Sequence, residues 1–383
     1  MQPEGFETGQ RRHVVRAEGG YWAFVPPPLP PGLHLDTTLV SRLSAADRAI
    51  GELAGLGRGL PNPHLLSRTL MRREAVLSSR IEGTRASLSD LVLFEVAPNP
   101  RDDTDVHEVY NYLRAVDHVM DPSRALPLSL RLLREAHEIL LTGVRGDYAT
   151  PGEFRRTQNW VGSPGAAIDT ATFVPPPPER LWEGLDALEK FMHDATQLPP
   201  LLAIGAIHYQ FEAIHPFIDG NGRVGRLLVV LLLVNWGLLP VALLDLSAYL
   251  EPRRDRYYDG LLRVSTHGDW AGWLMFFLEV VEHQARDALH RARGLHDLRE
   301  RMRQQVTAVR SSGSAAKLVD ALFELPVMTT SRAQVVLDVT HRAASLNIAK
   351  LVDLGILTEI RHARRQRLFI ASKVMAAVEQ SDG

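Results

Sequence analysis

The chain has 383 residues, enough for two or three domains at about 100–200 residues each; with 45% hydrophobic and 23% charged residues it is not wholly disordered, collagen-like or coiled coil. A net charge of −2 gives no global positive field to draw nucleic acid. The absence of cysteine excludes disulfides, thiol nucleophiles, iron–sulfur clusters and cysteine zinc sites, and fits a reducing cytoplasm.

The first residues, 1–12, are polar and no apolar run follows, so no secretory leader is expected. Residues 24–32 are proline-rich and read as an extended lead-in. From about Thr37, the residues Leu39, Leu43, Ile50 and Leu53 repeat at near-helical spacing, with Asp36 or Thr37 to cap the start; the glycines and prolines of 55–63 are expected to break that helix. A second helix is predicted over 64–82 with Gly83 as its C-cap, a third over 87–95, and two more over 106–120 and 129–141. In the irregular stretch 143–178, Asn159-Trp160-Val161-Gly162 and Phe173-Val174 predict a hairpin. Helices follow over 179–194, 200–213, 222–236, 253–264 and 270–294. The apolar run within 227–239 falls short of the ~20 residues of a membrane span and reads as a buried core helix, so a soluble, cytoplasmic protein with no membrane partner is expected.

After residues 310–314 the chain restarts with a helix over 315–325, a helix pair over 330–337 and 341–354, and two strands over 355–360 and 367–370. The expected division is an N-terminal region 1–122, a core 123–294, a linker 295–314 and a C-terminal domain 315–383.

The densest chemistry lies in His215-Pro216-Phe217-Ile218-Asp219-Gly220-Asn221-Gly222-Arg223-Val224-Gly225-Arg226. A helix delivers His215 into a tight turn. Gly220 and Gly222 let backbone N–H groups approach a ligand, and the next helix begins there with its positive end facing the same place. Arg223 and Arg226, three apart, share a helix face. Together these features call for a polyphosphate, with Asp219 able to hold Mg²⁺ against it and His215 as general base.

The stretch resembles the signature of Fic-domain proteins, His-Pro-Phe-x-(Asp/Glu)-Gly-Asn-Gly-Arg-x-x-Arg, with every fixed position matched. The resemblance extends upstream to 159–162 and 173–178, which look like the family's target-docking flap, and downstream to Tyr257-Tyr258. It implies a mainly α fold: a helical core over about 128–289 with a β-hairpin flap. It also implies transfer of AMP from ATP to a Ser, Thr or Tyr hydroxyl of a protein, the chain itself included. By this resemblance His215 deprotonates the hydroxyl and Asp219 binds Mg²⁺ at the α- and β-phosphates. Gly220, Asn221 and Gly222 form the anion hole, and Arg223 and Arg226 hold the β- and γ-phosphates. Tyr258 lies near the adenine, while Phe173 and Val174 belong to an exposed docking edge. Gly220 and Arg226, both retained, favour adenylylation over phosphorylation. Ser265 stands seven residues after Tyr258, where some relatives have Asn.

Ser78-Ser79-Arg80-Ile81-Glu82-Gly83 ends the second predicted helix, with Ser78 and Glu82 on one face. Alone, this is a solvated helix end. Beside the full signature it resembles the family's inhibitory motif, in an N-terminal helical inhibitory region. Ser78, Glu82 and Gly83 are then the inhibitory residues, with Glu82 paired to Arg226 in place of a phosphate.

Residues 315–370 resemble a winged helix-turn-helix domain, with 339–351 as recognition helix and 361–367 as a basic wing. Residues 283–383 hold 16 Lys and Arg against 10 Asp and Glu, the rest 27 against 35. DNA thus stays open as a partner for that end alone, and a homodimer stays open too. The other readings are a DNA-binding regulator whose core senses nucleotide, and an enzyme that removes AMP.

Overall fold

The computed structural model describes residues 1–59, 62–98, 103–121, 123, 127–144, 147–163, 165–194, 197–308, 313–361 and 367–379. The chain begins with a short helix α1 (Thr8–Arg11) and an antiparallel pair, β1 (Val14–Arg16) and β2 (Trp22–Phe24). Next come α2 (Thr37–Gly59), α3 (Pro63–Ile81), α4 (Leu88–Val96), α5 (Thr104–Val119) and α6 (Leu130–Leu141). Helix α2 is started by Asp36, which accepts from the Leu39 N–H at 2.7 Å. Ser87, Asp103 and Ser129 do the same for α4, α5 and α6, Ser87 and Asp90 forming a capping box. Further along lie α7 (Pro178–His193), α8 (Pro200–Ile214), α9 (Asn221–Asn235), a one-turn α10 (Ser247–Leu250), α11 (Arg254–His267) and α12 (Trp270–Ala308).

Helices α8 and α9 are apolar nearly all round and occupy the centre of the core; Leu227 to Leu233 are at most 4% exposed. No described helix is long and apolar enough to cross a membrane. The C-terminal unit comprises α13 (Gly313–Glu324), β3 (Val327–Met328), α14 (Thr330–Leu337), α15 (His341–Asp353), β4 (Thr358–Arg361), β5 (Arg367–Ile370) and α16 (Ser372–Glu379), with an antiparallel sheet ordered β3-β5-β4.

Helix α3 is gripped along its length. Thr69 Oγ1 donates to the Phe323 carbonyl at 3.1 Å, and Arg72 donates to the Glu324 carbonyl and both carboxylate oxygens of Glu95. Arg73 pairs with Asp245 (2.7 Å) and Asp287 (3.0 Å). Glu74 accepts from the N–H and hydroxyl of Ser247. The C-terminal unit and the core thus share one helix.

The expected break at 55–63 starts later, since α2 runs on to Gly59. Its glycines cost about 1 kcal/mol each in a helix, but packing overrides them: a Cβ on Gly57 would meet Leu243 at 2.7 Å and Pro240 at 2.9 Å. The helix expected to end at 294 continues to Ala308, because Leu295, Met302 and Val306 extend its buried face and Arg299 and Arg303 both pair with Asp320 of α13. Among the described residues, the expected flap hairpin is reduced to one antiparallel bridge, Val161 with Phe173. Of the expected basic wing, residues 362–366 lie outside the described residues; Arg367 pairs with Glu359 at 2.7 Å.

Candidate active site

Helix α8 ends at His215, a C-cap in the left-handed region (φ 49°, ψ 61°). That conformation costs a non-glycine residue about 1–2 kcal/mol and needs outside support. Arg155 Nε donates to the His215 carbonyl at 2.9 Å, and Asn159 Nδ2 donates to the same carbonyl (3.3 Å) and to that of Phe217 (2.7 Å). His215 Nδ1 lies 3.2 Å from the Glu212 carbonyl. A carbonyl only accepts, so Nδ1 carries the hydrogen and Nε2 is the basic nitrogen. Burial and, next to it, Arg155 lower the His215 pKa to about 4, against the Glu212 carbonyl, Glu82 and Asp219. The imidazole is therefore neutral at neutral pH, as a base must be.

The turn that follows is closed by its own side chains. Asn221 Oδ1 accepts from the Phe217 N–H and its Nδ2 donates to the Phe217 carbonyl, both at 2.8 Å. Asn221 thus shapes the loop with its side chain, leaving only its backbone for an anion. His137 stacks on Phe217 (centroids 3.8 Å apart). Its Nδ1 accepts from the Gly152 N–H, so its Nε2–H donates to the Asp219 carbonyl at 3.0 Å. Gly220 caps α9 at φ 78° without a side chain to bond the first-turn N–H groups. Asp219, 44% exposed at its side chain, accepts from the Gly220 N–H.

Both arginines of the turn are buried. Arg223 pairs with Glu108 at 3.2 Å. Arg226, fully buried, donates from Nε to the Ser78 hydroxyl and from Nη2 to the Ser78 carbonyl, both at 2.9 Å, and from Nη2 to Glu82 Oε1 at 2.8 Å. Its Nη1 has no hydrogen-bond partner among the described residues. The Glu82 carboxylate lies directly over Gly222, where a Cβ would collide with its Oε1 and sit 3.0 Å from Arg226 Nη1. Burial opposes the Glu82 charge, but Arg226, with Arg223 behind it, prevails and lowers its pKa. Gly83 (φ 102°) ends the helix there.

Tyr258 is 43% exposed beside buried Tyr257, whose hydroxyl donates to His208 Nε2 at 2.9 Å. Ser265 is buried and bonded to the Tyr209 hydroxyl.

The expected docking edge is corrected. Phe173 and Val174 are 8% and 0% exposed. The Val174 carbonyl accepts from the Phe24 N–H at 2.9 Å, and the Phe24 ring packs on Phe173. The N-terminal segment, read only as a lead-in, folds back as β1–β2 and covers that edge. Trp160 and Val161 are the exposed large side chains of the flap.

Sequence reasoning missed Arg155, Asn159, Glu108 and His137 as site residues. Glu108 and His137 left a signal, a polar residue set in an apolar helical stripe; Arg155 and Asn159 left none.

Residues 40–121 match the family model for the Fic/DOC family N-terminal region, and residues 127–233 that for the Fic/DOC family itself. Among curated proteins, the chain is 33% identical to protein adenylyltransferase Fic of Drosophila grimshawi over 159 residues, 41% of this chain and 29% of that protein. It is 29% identical to the protein of the same name from Culex quinquefasciatus over 267 residues, 65% and 47% of the two chains. The chain thus spans less than half the length of these relatives. Among solved structures, a Fic family protein from Desulfovibrio desulfuricans G20 superposes with a TM-score of 0.58 at 21% identity, over 89% of this chain and 98% of that one. Fic-1 (residues 134–508) of C. elegans gives 0.52 at 22%, over 66% and 74%. At such identities these likenesses speak for the fold, which is the mainly helical one expected. With the two family models lying end to end over the helices that build this site, the chain belongs to the Fic/DOC family.

Proposed function

We propose that this protein is an adenylyltransferase that moves AMP from ATP to a Ser, Thr or Tyr hydroxyl of a protein, itself included, and that Glu82 holds it in check. One observation carries the reading: a carboxylate sits over Gly222, between the open N-terminus of α9 and the Arg226 guanidinium, where a phosphate would be bound by the same groups.

In the reaction, His215 Nε2 takes the proton of the target hydroxyl. The hydroxyl oxygen then bonds to the α-phosphorus, the bond from that phosphorus to the oxygen bridging to the β-phosphate breaks, and pyrophosphate leaves. The N–H groups of Asn221 and Gly222 stabilise the charge, the expected Gly220 N–H being held instead by Asp219, and Arg223 and Arg226 orient the β- and γ-phosphates once Glu82 has moved aside. Magnesium bound with a nucleotide needs only one or two carboxylates from the protein. Asp219, partly exposed at the turn, is the carboxylate that would hold it. Bound there, the ion would offset the charge of the phosphates. Tyr258 is the aromatic residue proposed for the adenine, and exposed Trp160 and Val161 are the flap side chains left to meet a target. Helices α14 and α15 with the β4–β5 pair support reading the C-terminal unit as a winged helix.

The test is incubation of purified variants with labelled ATP and Mg²⁺. Glu82→Gly is expected to raise self-labelling about tenfold or more, a change of ~1.4 kcal/mol in the competition for Arg226. In that background His215→Ala is expected to lower it by about 10²–10⁴. No labelling by any variant overturns the activity, and label retained after His215→Ala overturns the base.

A further inference from the structure

Outside the signature, one buried cation touches the backbone that carries the base. Arg155 is 3% exposed, and no carboxylate lies within ion-pair distance among the described residues. A guanidinium so placed must have its donors met. Carbonyls meet them: Nε reaches His215 at 2.9 Å, Nη2 reaches Pro176 at 2.5 Å and Ile214 at 3.4 Å, and Nη1 reaches Thr157 at 3.4 Å. The Arg155 N–H donates to the Pro216 carbonyl at 2.9 Å. One residue thus binds three successive residues, 214–216, at the end of α8, where unsatisfied carbonyls and the negative end of the helix favour a cation. It also binds Pro176, at the foot of the flap.

His215 occupies the left-handed region in that grip, and its ring is turned by the Nδ1 bond to Glu212. A change in φ or ψ at His215 would swing the ring away from that carbonyl and redirect Nε2. We infer that Arg155 is the positioning residue for the base: it fixes the His215 backbone so that Nε2 faces the target hydroxyl, and it ties that backbone to the flap. The inference rests on the AMP-transfer reading of the site.

The experiment uses the full chain with Glu82→Gly as parent and compares Arg155→Met with Arg155→Lys. It measures kcat, KM for ATP, affinity for a non-hydrolysable ATP analogue, and melting temperature. Arg155→Met is expected to lower kcat roughly 10- to 100-fold, the scale of a small misplacement of a reacting group, with KM and analogue affinity within about twofold of the parent. Arg155→Lys is expected to recover part of kcat, since one ammonium still reaches the His215 carbonyl. If Arg155→Met melts below assay temperature, Asn159→Ala replaces it: this removes the second donor to the same carbonyl and is expected to lower kcat at constant analogue affinity. Unchanged kcat, a parallel loss of kcat and nucleotide affinity, or a Lys variant no better than Met overturns the inference. A parent that transfers no AMP overturns the underlying reading; an active parent indifferent to these changes overturns the Arg155 assignment alone.

Discussion

Two buried arginines of the site have their hydrogen-bond donors met by different means. At the N-terminus of α9, Arg226 meets the carboxylate of Glu82 and both oxygens of Ser78. On the flap side, Arg155 meets backbone carbonyls. A carboxylate on one side chain at a helix end can be exchanged for another anion. Carbonyls of a turn cannot leave without dismantling it. The same chemical group therefore makes a replaceable contact at Arg226 and a fixed joint at Arg155.

Between the two arginines, the larger effect on AMP transfer should come from removing the replaceable side. Arg226→Met in the Glu82→Gly background is expected to lower AMP transfer by about 10²–10³, the scale for losing one charge-stabilising group. Labelling equal to the parent would mean that Arg226 serves only as a partner for Glu82. On the fixed side, Phe24→Ala removes the ring that packs on Phe6 and Phe173, and is expected to cost about 3–5 kcal/mol in urea unfolding. A loss under about 1 kcal/mol would show that the N-terminal strand does not hold the flap.

A third test sets two carboxyls against each other. Glu82 is lowered, whereas burial raises Glu212 to about 8 against the pull of Arg226. Between its ordinary value of 4.5 and about 8, folded Glu212 keeps a proton that the unfolded chain has released. Its contribution is thus fully present below 4.5 and lost as pH rises to about 8. Glu212→Gln should gain on the parent over this range by up to about 1.4 kcal/mol per pH unit, read from denaturation midpoints at several pH values. The difference between the two proteins is the measure. Buried His137, His208 and His215, all lowered, tilt stability the other way: their contribution is present above 6.5 and fades as pH falls towards about 4 for His137 and His215 and about 3 for His208. A pH-independent difference would mean that Glu212 is charged in the fold. The smallest effect belongs to Glu82→Gln, about 1 kcal/mol, since a neutral acceptor still reaches Arg226 and Glu82 is 31% exposed at its side chain. A loss above about 3 kcal/mol would place Glu82 with the fixed contacts instead.

The turn 215–226 was legible because its parts are local: glycines for backbone freedom, an Asn that bonds four residues back, two arginines on one helix face. Glu82 was legible through a second local pattern at a helix end. What escaped notice comes from far along the chain. Glu108 reaches Arg223 from 115 positions away, and Arg155 reaches the His215 carbonyl from 60. Phe173 and Val174 look like an exposed edge because the strand that covers them lies about 150 residues earlier, behind a run of prolines. Gly294 reads as a helix end, but buried Leu295, Met302 and Val306 carry α12 past it.

The grip on α3 also sets a clock. Thr69, Arg72, Arg73 and Glu74 fasten the body of the helix to two other parts of the protein, whereas Glu82 lies past its last turn, beside a glycine. To clear the space over Gly222 the protein has only to rotate one carboxylate and fray a terminal turn, motions of nanoseconds to microseconds, while α3 stays docked. Under the proposed reading, a block of this kind would be a rapid equilibrium that an arriving nucleotide samples many times per encounter. On that reading the fraction of productive nucleotide poses would follow from the relative affinity of the phosphate and of Glu82 for Arg226.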